Sequence, residues 1–105
     1  MHTFVKIIRN EGETPRAKLA DVELHFTGGE LDGLKLIGFA IWQRRDGKGV
    51  NVTFPARQFT VGGDRRSFSL LRYVDNPAAQ DRLRDFLLEA YQAHERDVEQ
   101  TAAAS

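Results

Sequence analysis

The side chains best suited to chemistry in this sequence are basic ones in the middle of the chain. The candidate group consists of Arg44, Arg45, Lys48, Arg57, Arg65 and Arg66. A guanidinium presents a planar fork of donors that matches a phosphate group, and lysine adds a compact positive charge. Residues 35–72 hold eight Lys or Arg against two Asp, a net charge of +6, whereas residues 1–34 and 73–105 carry −2 and −4. A zero total can therefore hide a basic face beside an acidic one, although arginines at turns also serve simply as solubilising surface.

Aromatic residues are interleaved with these charges. The ones able to stack on nucleic-acid bases, if exposed, are Trp42, Phe54, Phe59 and Tyr73. The usual place for such rings is the core, so the sequence favours burial over stacking for each.

The remaining reactive side chains do not form a catalytic or metal-binding pattern. The histidines are His2, His25 and His94, and no two of them have the spacing of metal ligands. Ser67 and Ser69 alternate with apolar residues instead of lying on a Gly-flanked elbow, and Asp81 and Asp85 read as a solvated helix face. The glycine pairs lack the spacing of phosphate-cradling loops. We therefore expect no enzymatic activity, no metal and no cofactor.

The bulk composition bounds the class of protein. With 105 residues, 41% of them hydrophobic, and no cysteine, the chain suits one globular domain without disulfides, over residues 1–100, with a frayed tail at 101–105. Its start is too short and too charged for a signal peptide, and no run of about 18 apolar residues is present to span a membrane. We expect a cytoplasmic protein that does not contact membranes.

Strand-like segments occupy the first half of the chain. Residues 3–9 are rich in β-formers, a polar loop is predicted at 10–15, and residues 19–26 alternate between apolar and polar side chains. Residues 34–43 are apolar on both faces, which indicates a strand inside a sheet or at an interface. Gly38 in the middle of this strand predicts a bulge or a close backbone approach.

Two hairpin turns follow these strands. The turn at 44–49 contains Asp-Gly, which tolerates the positive φ of a tight turn, and the turn at 62–64 contains Gly-Gly. Between them, Pro55 lacks an N–H and is expected at a strand end or edge. Residues 58–61 are predicted to be extended, and residues 65–74 are predicted to form the last strand.

A single helix is predicted after Asn76, which suits the N-cap, with Pro77 at the first helical position. Its apolar stripe consists of Ala79, Leu83, Phe86, Leu87, Ala90, Tyr91, His94 and Val98. The spacing predicts a helix of about 20 residues. Strands first and one helix last predict an α+β fold, with a hairpin-rich antiparallel sheet of roughly five to six strands followed by a long C-terminal helix.

Several short motifs occur in an order found in a known family. They are Leu34–Ile41, Val52–Arg57 with its Pro-Ala-Arg ending, Gly63-Asp64 with Phe68, Pro77 at the helix start and Tyr91 at the helix end. With these motifs, residues from about 19 to 91 resemble the SpoVG family of small bacterial septation and sporulation regulators. Gln58 stands where the family typically has a second basic residue.

The resemblance implies a homodimeric DNA- or RNA-binding regulator without enzymatic activity. Arg57 is the only site residue that carries over by motif, and Arg65 and Arg66 carry over by their position after the turn. Arg44, Arg45 and Lys48 are candidates on charge alone.

Two other interpretations remain open. One is a protein-interaction or dimerisation module without nucleic-acid binding, which would use the two-sided apolar strand or the sheet edge near the second turn. Its acidic C-terminal helix would repel phosphate. The other is a small-molecule binder or enzyme, which no titratable residue supports.

Overall fold

The chain is known here as a computed structural model, which describes residues 1–10 and 17–104, with side chains as far as Glu99. The strands of the described part are β1 (His2–Arg9), β2 (Lys18–Thr27), β3 (Lys35–Gln43), β4 (Val50–Thr53), β5 (Ala56–Val61) and β6 (Asp64–Ser69). A short 3-10 turn (Gly29–Leu31) lies between β2 and β3, and one helix, α1 (Ala78–Ala104), ends the chain. The predicted loop at 10–15 lies almost wholly outside the described residues.

The strands form two separate antiparallel sheets. Strands β1 to β4 make a four-stranded sheet in sequence order, and β5 pairs only with β6 in a two-stranded ribbon. The predicted α+β class, with antiparallel strands followed by a C-terminal helix, is confirmed. The sequence pattern does not indicate that β5 and β6 are separate from the main sheet.

One face of the four-stranded sheet carries the core. Along β2 the alternating residues Ala20, Val22 and Leu24 are buried, as the period of two predicts, while Asp21 between them is exposed. The buried cluster consists of Ala20, Val22, Leu24, Phe39, Ile41, Val52 and Leu87. Since Leu87 belongs to α1 and is fully buried, the helix covers this face of the sheet. The opposite face has no covering element among the described residues.

Gly38 lies at a bulge in β3, as the sequence predicts. Val22 pairs with Phe39 and Leu24 pairs with Leu36, so β3 holds one extra residue between these pairs. Gly38 has a φ of 107°, and a Cβ there would lie 3.0 Å from the Cβ of Pro55. The missing side chain therefore permits both the bulge and the close packing of Pro55 against β3.

The prediction that the last strand spans residues 65–74 is wrong at its end, because β6 stops at Ser69. Ser69 pairs with Ala56, the first residue of β5, and the next amide, that of Leu70, donates to the carbonyl oxygen of Pro55 at 3.0 Å. Pro55 has no N–H with which to continue the pairing, so the ladder ends. Just after the strand, Leu71 is partly buried and packs against the core cluster.

The helix begins as predicted. The amide of Ala78 donates to Oδ1 of Asn76 at 3.0 Å, which makes Asn76 the N-cap and places Pro77 at the first position. The helix is 27 residues long, longer than expected from its apolar stripe. Its backbone reaches Ala104, and the frayed tail at 101–105 stays a prediction.

Replacing Gly38 with alanine should destabilise the fold more than the same change at Gly33. Both glycines have positive φ, where alanine is strained by about 1–3 kcal/mol, but only Gly38 also faces a neighbouring side chain. Overpacking against Pro55 should add about 1–3 kcal/mol. Urea unfolding of the two variants measures this difference. Equal losses in the free energy of unfolding would show that Pro55 leaves room for a side chain at position 38.

Truncating Leu87 should reveal how strongly the helix depends on the sheet. Leu87→Ala is expected to lower the free energy of unfolding by about 2–5 kcal/mol, since the side chain is fully buried. The matched control is Phe86→Ala, whose side chain is 40% exposed and should cost less than half as much. Thermal or urea unfolding compares the two, and a larger loss at Phe86 would contradict the docked face described above.

Candidate functional site

The β5–β6 ribbon is the most exposed part of the described fold. Every residue of both strands is solvent-exposed. Gly62 and Gly63 form its turn with φ values of 57° and 88°, the left-handed pair that a tight two-residue hairpin requires. A ribbon of this kind has little stability of its own in water, so an exposed one attached to a sheet suits contact with a partner.

The register of the ribbon sorts its side chains onto two different faces. Arg57 pairs with Phe68, and Phe59 pairs with Arg66, which places these four side chains on one face. Val61 and its partner Asp64 lie on the same face next to the turn, and we call this face the aromatic face of the ribbon. The other face is polar and consists of Ala56, Gln58, Thr60, Arg65, Ser67 and Ser69. Arg65 and Arg66 therefore point to opposite sides of the ribbon.

The apolar residues of the aromatic face are open to solvent. Phe59 is 39% exposed, Phe68 is 48% exposed and Val61 is 51% exposed. Of the rings considered from sequence, Phe59 and Tyr73 are exposed, contrary to the expectation of burial. Phe68 is also exposed, which the sequence does not indicate because it does not show that the last strand leaves the core.

The other two candidate rings are held by the protein itself. The indole Nε1 of Trp42 donates to the hydroxyl of Thr53 at 2.8 Å. The ring of Phe54 meets the edge of Phe39 at a centroid distance of 5.4 Å and packs on the core. Both rings are partly buried, and Phe54 packs against the core cluster.

Arg72 completes the base of the ribbon, although the sequence pattern did not single it out. Its guanidinium carbon lies 4.1 Å from the centroid of the Phe68 ring, a cation–π arrangement. Its Nε also donates to the carbonyl oxygen of Ser69 at 3.1 Å. These two contacts hold a positive charge beside the aromatic face.

The positive charges of the ribbon have no carboxylate partner in the described part of the chain. Among the described residues, the ion pairs involve other basic side chains, such as Arg84 with Asp81 at 3.0 Å, and none involves Arg57, Arg65 or Arg66. The only acidic residue within the two strands is Asp64. The ribbon thus presents net positive charge that its own fold does not neutralise.

The turn at 44–49 forms a second basic group. The amide of Arg44 donates to the carbonyl oxygen of Gly49 at 3.0 Å, and Oδ1 of Asp46 accepts from the amide of Lys48 at 2.9 Å. Nε of Arg44 also lies 3.9 Å from Oδ1 of Asp46, so part of the charge of Arg44 is balanced within the turn. Arg45 and Lys48 are exposed, with no ion pair among the described residues.

The structure separates these two basic groups. Strands β3 and β4 pair between Ala40–Gln43 and Val50–Thr53, with the 44–49 turn at one end of the pair. Pro55 packs against Gly38 beyond the other end, and the ribbon starts there. The six basic candidates therefore do not share one face. Arg57 and Arg66 share a face, Arg65 lies behind them, and the turn residues lie elsewhere.

The uncovered face of the main sheet carries a small polar network. The ring of His25 stacks on the ring of Phe4, with the two ring centroids 4.8 Å apart. Nε2 of His25 lies 3.0 Å from Oε1 of Glu23. Lys35 donates to both oxygens of Glu23 at 3.2 Å. Hydrogen bonds from His25 and then Lys35 hold the pKa of the Glu23 carboxyl below its usual value. This carboxylate stays charged and paired, which does not suit a general acid.

An open cleft lies between the ribbon base and the start of the helix. It has a volume of about 210 Å³ and is mostly apolar, with Phe54, Leu71 and Leu83 among its lining residues. Its titratable lining residues are Arg72 and Tyr73. That volume is below the range of about 300–1,000 Å³ that is usual for small-molecule sites, so the cleft is a weaker candidate than the ribbon.

Two other features are absent from the described residues, a metal-binding cluster and a membrane-spanning helix. No three His, Cys, Asp or Glu side chains there lie close enough to hold a metal ion. The helix of the described region is too polar to cross a membrane. Comparison with protein families, curated proteins and solved structures yields no match to this chain.

Proposed function

We propose that this protein is a non-enzymatic, nucleic-acid-binding regulator that contacts phosphate groups through the β5–β6 ribbon. The observation that carries the proposal is the unneutralised positive charge of an exposed ribbon, where Arg57, Arg65 and Arg66 have no carboxylate partner among the described residues. Charged groups left unpaired at a surface are available to a ligand of opposite charge.

The chemistry of arginine favours phosphate as that ligand. A guanidinium can donate in parallel to two phosphate oxygens, and binding releases the cations condensed on a nucleic acid. Arg57 and Arg66 share one face of the ribbon and can contact nearby phosphates of one strand, and Arg65 offers a further phosphate contact from the other face. The 44–49 turn supplies a second, weaker contact, because Asp46 offsets part of its charge.

The resemblance to the SpoVG family supports the same function. The Pro-Ala-Arg segment that carries the resemblance ends at Arg57, a residue of the ribbon. The resemblance and the exposed charge therefore both support nucleic-acid binding, and both involve Arg57 on β5.

Homodimer formation is part of the proposal. Phe4 and Ile8 alternate with core-packed residues on β1, so they lie on the face that the helix does not cover, and they are 51% and 40% exposed. Burying this face against a second copy would remove exposed apolar surface from water and would stabilise a small domain.

A protein-interaction module is the second candidate, favoured by the free edges of the ribbon. Each of β5 and β6 pairs only with the other, so both present unpaired backbone groups to which a partner strand could be added. Such a partner would bind through backbone hydrogen bonds, and its affinity would depend little on salt.

Charge reversal on the ribbon should abolish nucleic-acid binding. We expect Arg65→Glu/Arg66→Glu to eliminate binding of a fluorescent oligonucleotide at low salt, because repulsion replaces phosphate contacts. For the unaltered protein, three phosphate contacts imply a slope of roughly −2 to −3 in a plot of log affinity against log salt. Fluorescence anisotropy at several salt concentrations measures both quantities.

The matched control is Arg82→Glu/Arg96→Glu, which changes the net charge equally on exposed helix positions. It should retain binding, and the urea midpoints of both variants should show that the fold is intact. Equal loss in both variants would mean that overall charge, not the ribbon, governs binding. Retained binding in the ribbon variant would remove the proposal.

Charged substitutions on β1 should dissociate the dimer. Phe4→Lys/Ile8→Lys is expected to convert a dimer into a monomer in sedimentation equilibrium, because charge would be buried at the proposed interface. Val61→Lys is a matched control on the ribbon, since Val61 and Phe4 are each 51% exposed. A dimer lost through Val61→Lys but kept in the β1 variant would place the interface on the ribbon instead.

A further inference from the structure

We infer that the aromatic face of the ribbon binds single-stranded nucleic acid, with bases stacked on Phe59 and Phe68 and phosphates held by Arg57, Arg66 and Arg72. This inference rests on the proposed function and specifies its ligand. The proposed ligand is unpaired DNA or RNA. Preference for a duplex, a protein or a second copy of the chain would be a contrary result of the test.

The first support is the alternation of ring and charge on one face. Arg57 pairs with Phe68, and Phe59 pairs with Arg66 at the next position on the same face. Each ring therefore has an arginine opposite it and a second arginine two residues away on its own strand. Phe59 and Phe68 are diagonal neighbours in the antiparallel pair, and such neighbours lie roughly 7–8 Å apart. Bases on the two rings would thus come from nearby nucleotides, with arginines beside their phosphates.

The second support is the solvent exposure of both rings. Phe59 and Phe68 are more than a third exposed, and neither belongs to the packed shell around the core. Phenylalanine has no polar group to satisfy in water, so exposed rings on a ribbon gain most from a flat, apolar partner. The face of a nucleobase is such a partner, and every base has one.

The third support is the position of Arg72. Its guanidinium lies 4.1 Å from the centre of the Phe68 ring and is also held by a hydrogen bond to Ser69. Phe68 nevertheless remains 48% exposed. The charge is therefore preorganised next to an accessible ring, and less side-chain entropy is lost when a phosphate binds.

The rings, more than the charges, indicate an unpaired strand. A two-stranded ribbon also fits the major groove of a duplex, where arginines read base edges and phosphates. The faces of paired bases are covered by their neighbours in the stack, so phenylalanine rings can reach them only in single strands, loops or ends. An aromatic face with flanking arginines thus matches single-stranded recognition.

The test compares three probes on the full chain by fluorescence anisotropy. These are a short labelled oligothymidine, a mixed-sequence duplex of equal length, and inorganic polyphosphate as a competitor that has charge but no bases. The variant Phe59→Leu/Phe68→Leu keeps apolar side chains and removes the π faces, so the ribbon is disturbed as little as possible. Phe59→Tyr/Phe68→Tyr keeps the rings, and Phe86→Leu is the control for an exposed ring outside both proposed surfaces.

We expect the leucine variant to bind oligothymidine at least ~10-fold more weakly, with its polyphosphate competition and salt dependence unchanged, and the tyrosine variant to retain affinity. Unchanged oligothymidine affinity in the leucine variant, or tighter binding of the duplex than of the single strand by the unaltered protein, would overturn the inference while the proposed function stands. Loss of a dimer in the leucine variant would also overturn it, because a second copy would then cover the rings. Failure of the unaltered protein to bind any probe would overturn the proposed function itself.

Discussion

The packing of Pro55 against Gly38 determines where the sheet ends and where the ribbon begins. Gly38 has no side chain and lies at a bulge with positive φ, so the proline ring can approach the backbone of β3 closely. Pro55 has no N–H and cannot extend the β3–β4 ladder. The chain therefore leaves the main sheet at this point. The carbonyl oxygen of Pro55 instead accepts a hydrogen bond from the amide of Leu70, which closes the base of the ribbon.

Leaving the sheet has a direct consequence for the side chains that follow. Strands β5 and β6 gain no covering layer from the helix, whose docked face is occupied by the core of the four-stranded sheet. Their phenylalanines and arginines are consequently exposed, and the same separation that weakens the ribbon as a folded element makes it accessible to a ligand. Binding would order it further, since anything that binds only the folded form stabilises that form.

Much of the architecture follows from local sequence. The alternation in β2, the Asp-Gly and Gly-Gly turns, the bulge at Gly38 and the cap at Asn76 are each set by short-range backbone preferences, and each was predicted from the residues. The strand predicted over residues 65–74 is too long because the pattern of apolar residues does not reveal where pairing with the partner strand stops.

The candidate site was less predictable because it depends on pairing across strands. The sequence shows the basic residues but does not show that Arg57 and Arg66 share a face while Arg65 points away. It also gives no signal for Arg72, whose role comes from its contact with Phe68. Exposure of Phe59 and Phe68 follows from a sheet boundary that only the three-dimensional arrangement reveals.

The central claim is that the aromatic face of the ribbon is the binding surface. Nuclear magnetic resonance spectra of the isotope-labelled protein, recorded during titration with unlabelled oligothymidine, test it residue by residue. We expect the largest shift changes at the amides of residues 57–59 and 66–68 and at the side chains of Arg57, Arg66 and Arg72. Changes confined to the uncovered face around Phe4 and His25, with the ribbon unaffected, would contradict it.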